Sequence, residues 1–148
     1  MTHTSAPART DRTRSTTRRD HRILSVLLGV AALLVLLQGV WAGLFLGNGG
    51  DGATADGWME VHARGADLTI VLMLGATVWA FLRLRSKREL WLGAGTLTVL
   101  LVLEAYLGGL IRDDSKDSLT AVHVPLAMAM MALLVWLPLR ARALKDQD

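Results

Sequence analysis

The sequence predicts an all-α protein, a four-transmembrane-helix bundle with both termini cytoplasmic. Four stretches are apolar and long enough to cross a bilayer core of roughly 30 Å as helices. Lys and Arg are concentrated outside these stretches, and tryptophans fall near their ends. The chain has no cysteine, which excludes disulfides, Fe–S clusters and thiolate ligation of haem.

The first and last segments are polar and basic. Residues 1–22 are rich in Thr and Arg and lack apolar periodicity, which predicts a disordered basic tail. Residues 23–46 carry no charge and form the first predicted span, because a signal peptide has an apolar region of only about 7–15 residues. Residues 140–148 form a short basic C-terminal tail.

The other three predicted spans each contain ionisable side chains. The second span, residues 58–84, includes Glu60 and Arg64, which can pair at i,i+4 spacing. The third span covers residues 90–111 and the fourth covers residues 118–139. Together with the first, they define a four-helix membrane domain over residues 23–139.

The distribution of basic residues predicts the topology. Of sixteen Lys and Arg, thirteen lie in residues 1–22, in the turn at 83–88 or in residues 140–145. Cytoplasmic segments of membrane proteins carry such an excess, so we expect a multi-pass protein of the plasma membrane with its termini inside. The pattern indicates orientation in a lipid bilayer and no nucleic-acid partner.

The two predicted helical hairpins resemble each other. Residues 37–44 line up with residues 103–110, and residues 60–62 line up with residues 121–123. This predicts an internal repeat of a two-helix unit about an axis along the membrane normal.

The repeat brings four polar side chains to a similar depth in the outer half of the bundle: Gln38, His62, Glu104 and His123. By helix rise, they lie roughly 6–12 Å below the outer surface. Unpaired polar groups at that depth cost several kcal/mol, so this layer requires partners or a ligand.

The functional hypothesis is that His62 and His123 ligate one haem iron from opposite sides. Helix bundles build cofactor sites from facing helices, and bis-imidazole ligation is typical of b-type electron-transfer haem. Glu104 is the candidate catalytic group, because a buried carboxyl beside an imidazole can exchange protons with it.

Four further residues are candidates for holding the haem. Arg64 and Arg112, near the outer surface, would bind its propionates. Gly43 and Gly109 would leave room for the macrocycle. Each stands four residues after another small residue, Gly39 or Ala105, and this spacing more often marks close helix packing.

Two other interpretations of the histidines stay open. Each histidine could form a structural hydrogen bond between helices, to Glu104 or Gln38. They could also form a different metal site or a proton relay, although zinc would require a third or fourth ligand.

The sequence also resembles one four-helix half of the haem A synthase family. Residues 103–109 read LEAYLGG and residues 121–123 read AVH, where the family shows Leu-Gln-Ala-x-Leu-Gly and a later Ala-Leu-His. The resemblance implies haem-ligating histidines on the second and fourth helices, at His62 and His123. Glu60 stands two residues before His62, whereas the family's glutamate stands three before, and the family's outer cysteine pair is missing.

These observations predict a cytochrome-like, haem b-binding membrane protein that acts in electron transfer or haem handling at the outer half of the membrane. We expect a redox or respiratory-chain membrane partner. One alternative is a cofactor-free membrane subunit or assembly factor with a structural His/Glu layer. Another is a half-size haem A synthase-like oxidase, in which a homodimer restores the family's eight spans. An enzymatic activity, if the protein has one, would be that of a haem-dependent oxidoreductase.

Overall fold

The chain forms four long helices joined by short connections. The computed structural model describes residues 8–49 and 52–145, with side chains over residues 18–49 and 52–143. The helices are α1 (Ala8–Gly47), α2 (Ala53–Arg83), α3 (Arg88–Asp114) and α4 (Thr120–Lys145), and a 3₁₀ turn at Asp117–Leu119 precedes α4. No strand occurs within the described ranges.

All four helices are long and apolar enough to cross a membrane, which confirms the number of predicted spans. The qualifying segments are Arg18–Gly47, Ala53–Arg83, Arg88–Asp114 and Asp117–Ala143. Many of their large apolar side chains point away from the bundle, including Val71, Val99 and Met128. Such a surface suits lipid, since it would be unfavourable in water.

The helices are arranged as a ring in chain order. Helix α1 packs against α2 and α4, and α3 packs against the same two helices. The pairs α1 with α3 and α2 with α4 are therefore diagonal. The α2–α3 turn and the described ends of α1 and α4 lie at one end, here called the termini end. The α1–α2 and α3–α4 connections form the opposite end, called the loop end.

The apolar core occupies the middle and the termini half of the bundle. On α1 the buried core residues end at Val35, and on α4 no residue is buried before Met130. The core comprises Leu24, Leu28, Ala31, Val35, Met73, Ala76, Ala80, Leu84, Leu90, Ala94, Leu97, Leu101, Met130, Leu134, Leu137 and Ala141. The loop half therefore has few buried apolar contacts, and its interior is polar.

Two ion pairs connect the helices at the termini end. Nε of Arg83 on α2 lies 3.3 Å from a carboxylate oxygen of Asp20 on α1. Nε of Arg140 on α4 lies 2.6 Å from a carboxylate oxygen of Glu89 on α3. In each hairpin the first helix supplies the acid near its start and the second supplies the arginine near its end.

The helix boundaries differ from the predicted ones by five residues or more at three places. Residues 8–22, predicted to be disordered, belong to α1, because no Gly or Pro interrupts the chain between Ala8 and Gly29 and an established helix extends readily. Helix α2 begins at Ala53 and not at Trp58, and α4 continues through Lys145. The rest of the two predicted tails, residues 1–7 and 146–148, lies outside the described residues.

The closest approach of a glycine to a neighbouring helix occurs at Gly65, where α2 meets α1. A Cβ at this position would overlap the Trp41 ring and the Gln38 side-chain amide. Gly65 was not among the predicted site residues, although it forms a small-xxx-small spacing with Thr69, whose hydroxyl donates to the Gly65 carbonyl at 2.7 Å. Gly65 allows the Gln38 side chain to reach the α2 backbone.

We predict that Gly65→Ala destabilises the protein by about 1–3 kcal/mol, because the added methyl group overpacks the α1–α2 contact. Gly75→Ala is the matched control, since a Cβ at Gly75 would meet nothing within 4 Å. Thermal unfolding of both variants in detergent checks this. Equal unfolding midpoints for the two variants would contradict the close approach at Gly65.

Candidate functional site

His62 contacts α1 through its Nδ1 atom. This nitrogen lies 3.0 Å from the backbone carbonyl oxygen of Gln38. The His62 ring is half-buried, and the Phe45 ring packs against it edge-on at 6.0 Å between centroids. Because α2 begins at Ala53, His62 lies nine residues inside the helix, or about 13 Å by helix rise.

The Gln38 side chain is inserted beside the same turn of α2. In the amide orientation that gives both its nitrogen and its oxygen a hydrogen-bond partner, the nitrogen donates to the His62 carbonyl at 2.8 Å. The oxygen then accepts from the Ala66 N–H at 3.1 Å. These two backbone groups form one hydrogen-bonding step of an α-helix. The amide nitrogen is also 3.0 Å from Nδ1 of His62.

The two neighbours of Nδ1 define two states of the His62 ring. If Nδ1 carries the proton, it donates to the Gln38 carbonyl, and Nε2 then has a free lone pair. If Nδ1 is unprotonated, it accepts from the Gln38 amide, and Nε2 then carries the proton. Only the first state can bind a metal ion through Nε2.

His123 contacts α3 through its Nδ1 atom as well. This atom lies 2.5 Å from Oε2 of Glu104, whose side chain is 7% exposed, against 20% for His123. Among the described residues, neither Nδ1 nor either Glu104 oxygen has a well-directed hydrogen bond. The imidazole and the carboxyl group therefore approach each other closely, and Nδ1 and both carboxyl oxygens can still form hydrogen bonds.

The local backbone permits the His123 contact. A Cβ at Gly108 on α3 would lie 3.6 Å from Cε1 of His123, so the ring rests beside a helix surface without a side chain. Pro125 lies inside α4 and has no N–H to offer the Ala121 carbonyl, which leaves that carbonyl without its helical partner.

The two histidines form two separate polar contacts in the loop half of the bundle, His62 with Gln38 and His123 with Glu104, and these four residues are here called the polar cluster. Each histidine directs Nδ1 at an oxygen of the helix that precedes its own, and α2 and α4 are diagonal in the bundle. All four residues of the predicted polar layer therefore participate.

The predicted propionate-binding arginines lie in exposed ion pairs. Nε of Arg64 is 2.7 Å from Oε1 of Glu60, as the i,i+4 spacing predicted. Nε of Arg112 is 2.6 Å from Oδ1 of Asp113. Both guanidinium groups are therefore occupied by carboxylates of their own helices, and binding an anionic ligand would require exchange of those partners.

The predicted glycines lie in open space. A Cβ at Gly43 or Gly109 would meet nothing within 4 Å, so neither glycine marks a close helix contact.

These residues meet the chemical requirements of a bis-histidine haem. Two imidazoles on diagonal helices can each present Nε2, the oxygens of Glu104 retain hydrogen-bonding capacity, and no buried residue of α4 fills the loop half. Within the described ranges no three His, Asp or Glu side chains form a cluster that could hold a metal ion, whereas haem iron needs only two protein ligands.

We predict a coupling free energy of about 1–3 kcal/mol between Glu104 and His123, because the pair is close and largely shielded from solvent. A double-mutant cycle of Glu104→Gln and His123→Gln, followed by unfolding in detergent, measures it without any cofactor. The control is the exposed pair Glu60–Arg64, for which coupling of ~0.5 kcal/mol or less is expected. A coupling free energy of zero between Glu104 and His123 would contradict the contact.

Comparisons with protein-family models, curated proteins and solved structures give no match for this chain. The resemblance to haem A synthases stays a prediction that depends on the residues quoted for it.

Proposed function

We propose that the protein is an integral membrane haem b protein in which His62 and His123 would ligate the haem iron. Its role is electron transfer or haem handling at the outer half of the plasma membrane. The observation that carries this proposal is the matched arrangement of the two histidines, which occupy diagonal helices and each turn Nδ1 towards an oxygen of the preceding helix.

This arrangement is typical of histidines that ligate a metal ion. A metal-ligating histidine usually donates its other ring N–H to a carbonyl or a carboxylate, which fixes the tautomer and the ring orientation. Here the Gln38 carbonyl and the Glu104 carboxylate occupy those positions. The haem, when bound, supplies one-electron redox chemistry.

The chain's own residues have distinct roles in this proposal. Glu104 would orient His123 through its Nδ1 atom and is the candidate group to exchange a proton with it. Gln38 orients His62 and favours one of its two ring states. Arg64 and Arg112 bind the propionates after exchanging their present carboxylate partners, and the space at Gly43 and Gly109 accommodates the macrocycle.

The proposed topology places both termini and the α2–α3 turn in the cytoplasm, because the turn and the chain ends carry most of the basic residues. The polar cluster then lies nearer the outer surface. The proposal also includes the internal repeat. In this repeat His62 corresponds to His123 and Gln38 corresponds to Glu104, so the contacts His62–Gln38 and His123–Glu104 are corresponding pairs.

A second candidate is a cofactor-free membrane subunit or assembly factor. It is favoured by the same contacts, because interhelical bonds to Gln38 and Glu104 are also what purely structural histidines would form. In that case the cluster specifies helix pairing, and the protein binds no chromophore.

We predict that the purified protein, produced with ample haem, shows a b-type band in its reduced-minus-oxidised spectrum. His62→Ala and His123→Ala should each abolish the band, because each removes one axial ligand. His21→Gln is the control, since His21 lies at the termini end of α1, away from the cluster.

A band that survives both single substitutions would overturn the ligand assignment. A colourless protein with full helical content would favour the structural candidate. A haem-loaded protein that converts haem O to haem A would point to the oxidase activity of the resembled family.

We predict that Glu104→Gln weakens haem affinity by about tenfold or more, because outer partners of metal-ligating histidines typically contribute that much. Titration of haem into the apoprotein measures the change. Glu60→Gln is the control, since its carboxylate pairs with Arg64 at the bundle surface. Equal affinity of Glu104→Gln and wild type would remove Glu104 from the site.

A further inference from the structure

A groove runs between α2 and α3 and opens at the termini end. Its mouth has a volume of about 460 Å³ and is lined by Phe81, Arg85, Arg88, Trp91 and Leu92. The groove is distant in sequence and in the bundle from the polar cluster at the loop end. Its mouth combines two positive charges with aromatic and aliphatic walls.

A second, apolar cavity continues the groove towards the middle of the bundle. Its volume is about 340 Å³, and it shares Trp91 and Leu92 with the mouth. The cavity is open at the bundle surface, and its lining also includes Thr77, Gly95 and the exposed Val99. A Cβ at Gly95 would lie 3.7 Å from the Thr77 methyl group, so the missing side chain at Gly95 keeps the cavity open.

The two arginines at the mouth have charge to offer a ligand. Arg83, in the same basic turn, is already paired with Asp20, and Glu89 is paired with Arg140. Among the residues that the structure describes, no carboxylate pairs with Arg85 or Arg88. The Arg85 guanidinium instead lies over the Phe81 ring, 5.2 Å from its centroid.

We propose that this groove is a binding site for one anionic phospholipid. Its phosphate binds Arg85 and Arg88, and an acyl chain lies along Trp91 and Leu92 into the apolar cavity at Gly95. Basic pockets between membrane helices near one bilayer surface have the charge and shape that recognise such headgroups.

The position of the groove selects a lipid over other anions. The mouth lies where the apolar spans of α2 and α3 meet the polar turn, which is the depth of a phospholipid headgroup. A free anion would occupy the arginines but leave the apolar cavity without a ligand. Only an occupant with both an anionic head and a hydrocarbon chain matches both parts.

The test is a lipid titration of the full-length protein in non-ionic detergent, with bound lipid counted by native mass spectrometry. The lipids are phosphatidylglycerol and phosphatidylcholine with identical acyl chains, and inorganic phosphate is a third ligand. We expect one phosphatidylglycerol to bind preferentially. Neutralising each arginine should weaken binding about fivefold, since each contributes about 1 kcal/mol near a membrane surface.

Two pairs of variants separate the headgroup site from the acyl-chain site. Arg85→Gln with Arg88→Gln tests the headgroup site, and Arg142→Gln, an exposed residue at the same end, is the control. Gly95→Leu fills the apolar cavity and should lower phosphatidylglycerol binding, whereas Gly75→Leu on the open face of α2 should not. Circular dichroism confirms that each variant is folded.

Three results would overturn the proposal. Equal binding of the two lipids would remove the charge selectivity. Unchanged binding in the folded Arg85/Arg88 double variant would place the lipid elsewhere. Competition by inorganic phosphate at equal concentration, with no effect of Gly95→Leu, would reduce the site to a simple anion site.

Discussion

The contact between Glu104 and His123 is the interaction on which the candidate site depends. Neither group can lie alone in the hydrocarbon region without a large cost, so each requires the other. Their meeting joins α3 to α4 at a level where the bundle has few buried apolar contacts. The His123 ring directs its Nδ1 atom at this carboxyl group. Helix association and ring orientation therefore have a common cause in this half of the molecule.

Much of the architecture follows from composition, because a bilayer restricts the chain to helices of a limited length. Residues 90–111 are an example, since their apolar run alone predicts α3 to within a few residues. The pairing of His62 with Gln38 and of His123 with Glu104 was also accessible from sequence, as one of the open interpretations. Polar groups at equal depth have few other partners in such a bundle.

Other features depend on information that a pattern of residue types does not carry. The early start of α2 at Ala53 arises because Ala53, Ala55 and their neighbours tolerate helix as well as loop, and tertiary contacts decide between the two. The close approach at Gly65 depends on the rotation of α2 against α1. The ion pair of Arg112 with Asp113 depends on local competition, in which a carboxylate on the same helix is reached first. The groove at Trp91 is formed by α2 and α3 together, so the sequence of neither helix alone predicts it.

The uneven packing of the bundle has a consequence for access. The termini end is held by two ion pairs and by most of the apolar core, whereas α4 has no buried residue in its loop half, before Met130. Separation of helices in lipid exposes apolar surface to other apolar surface, so it lacks the penalty that water would impose. The helices are therefore packed together more tightly at the termini end than at the loop end. A hydrophobic molecule dissolved in the bilayer can approach the polar cluster sideways between the helices, without first leaving the membrane for water.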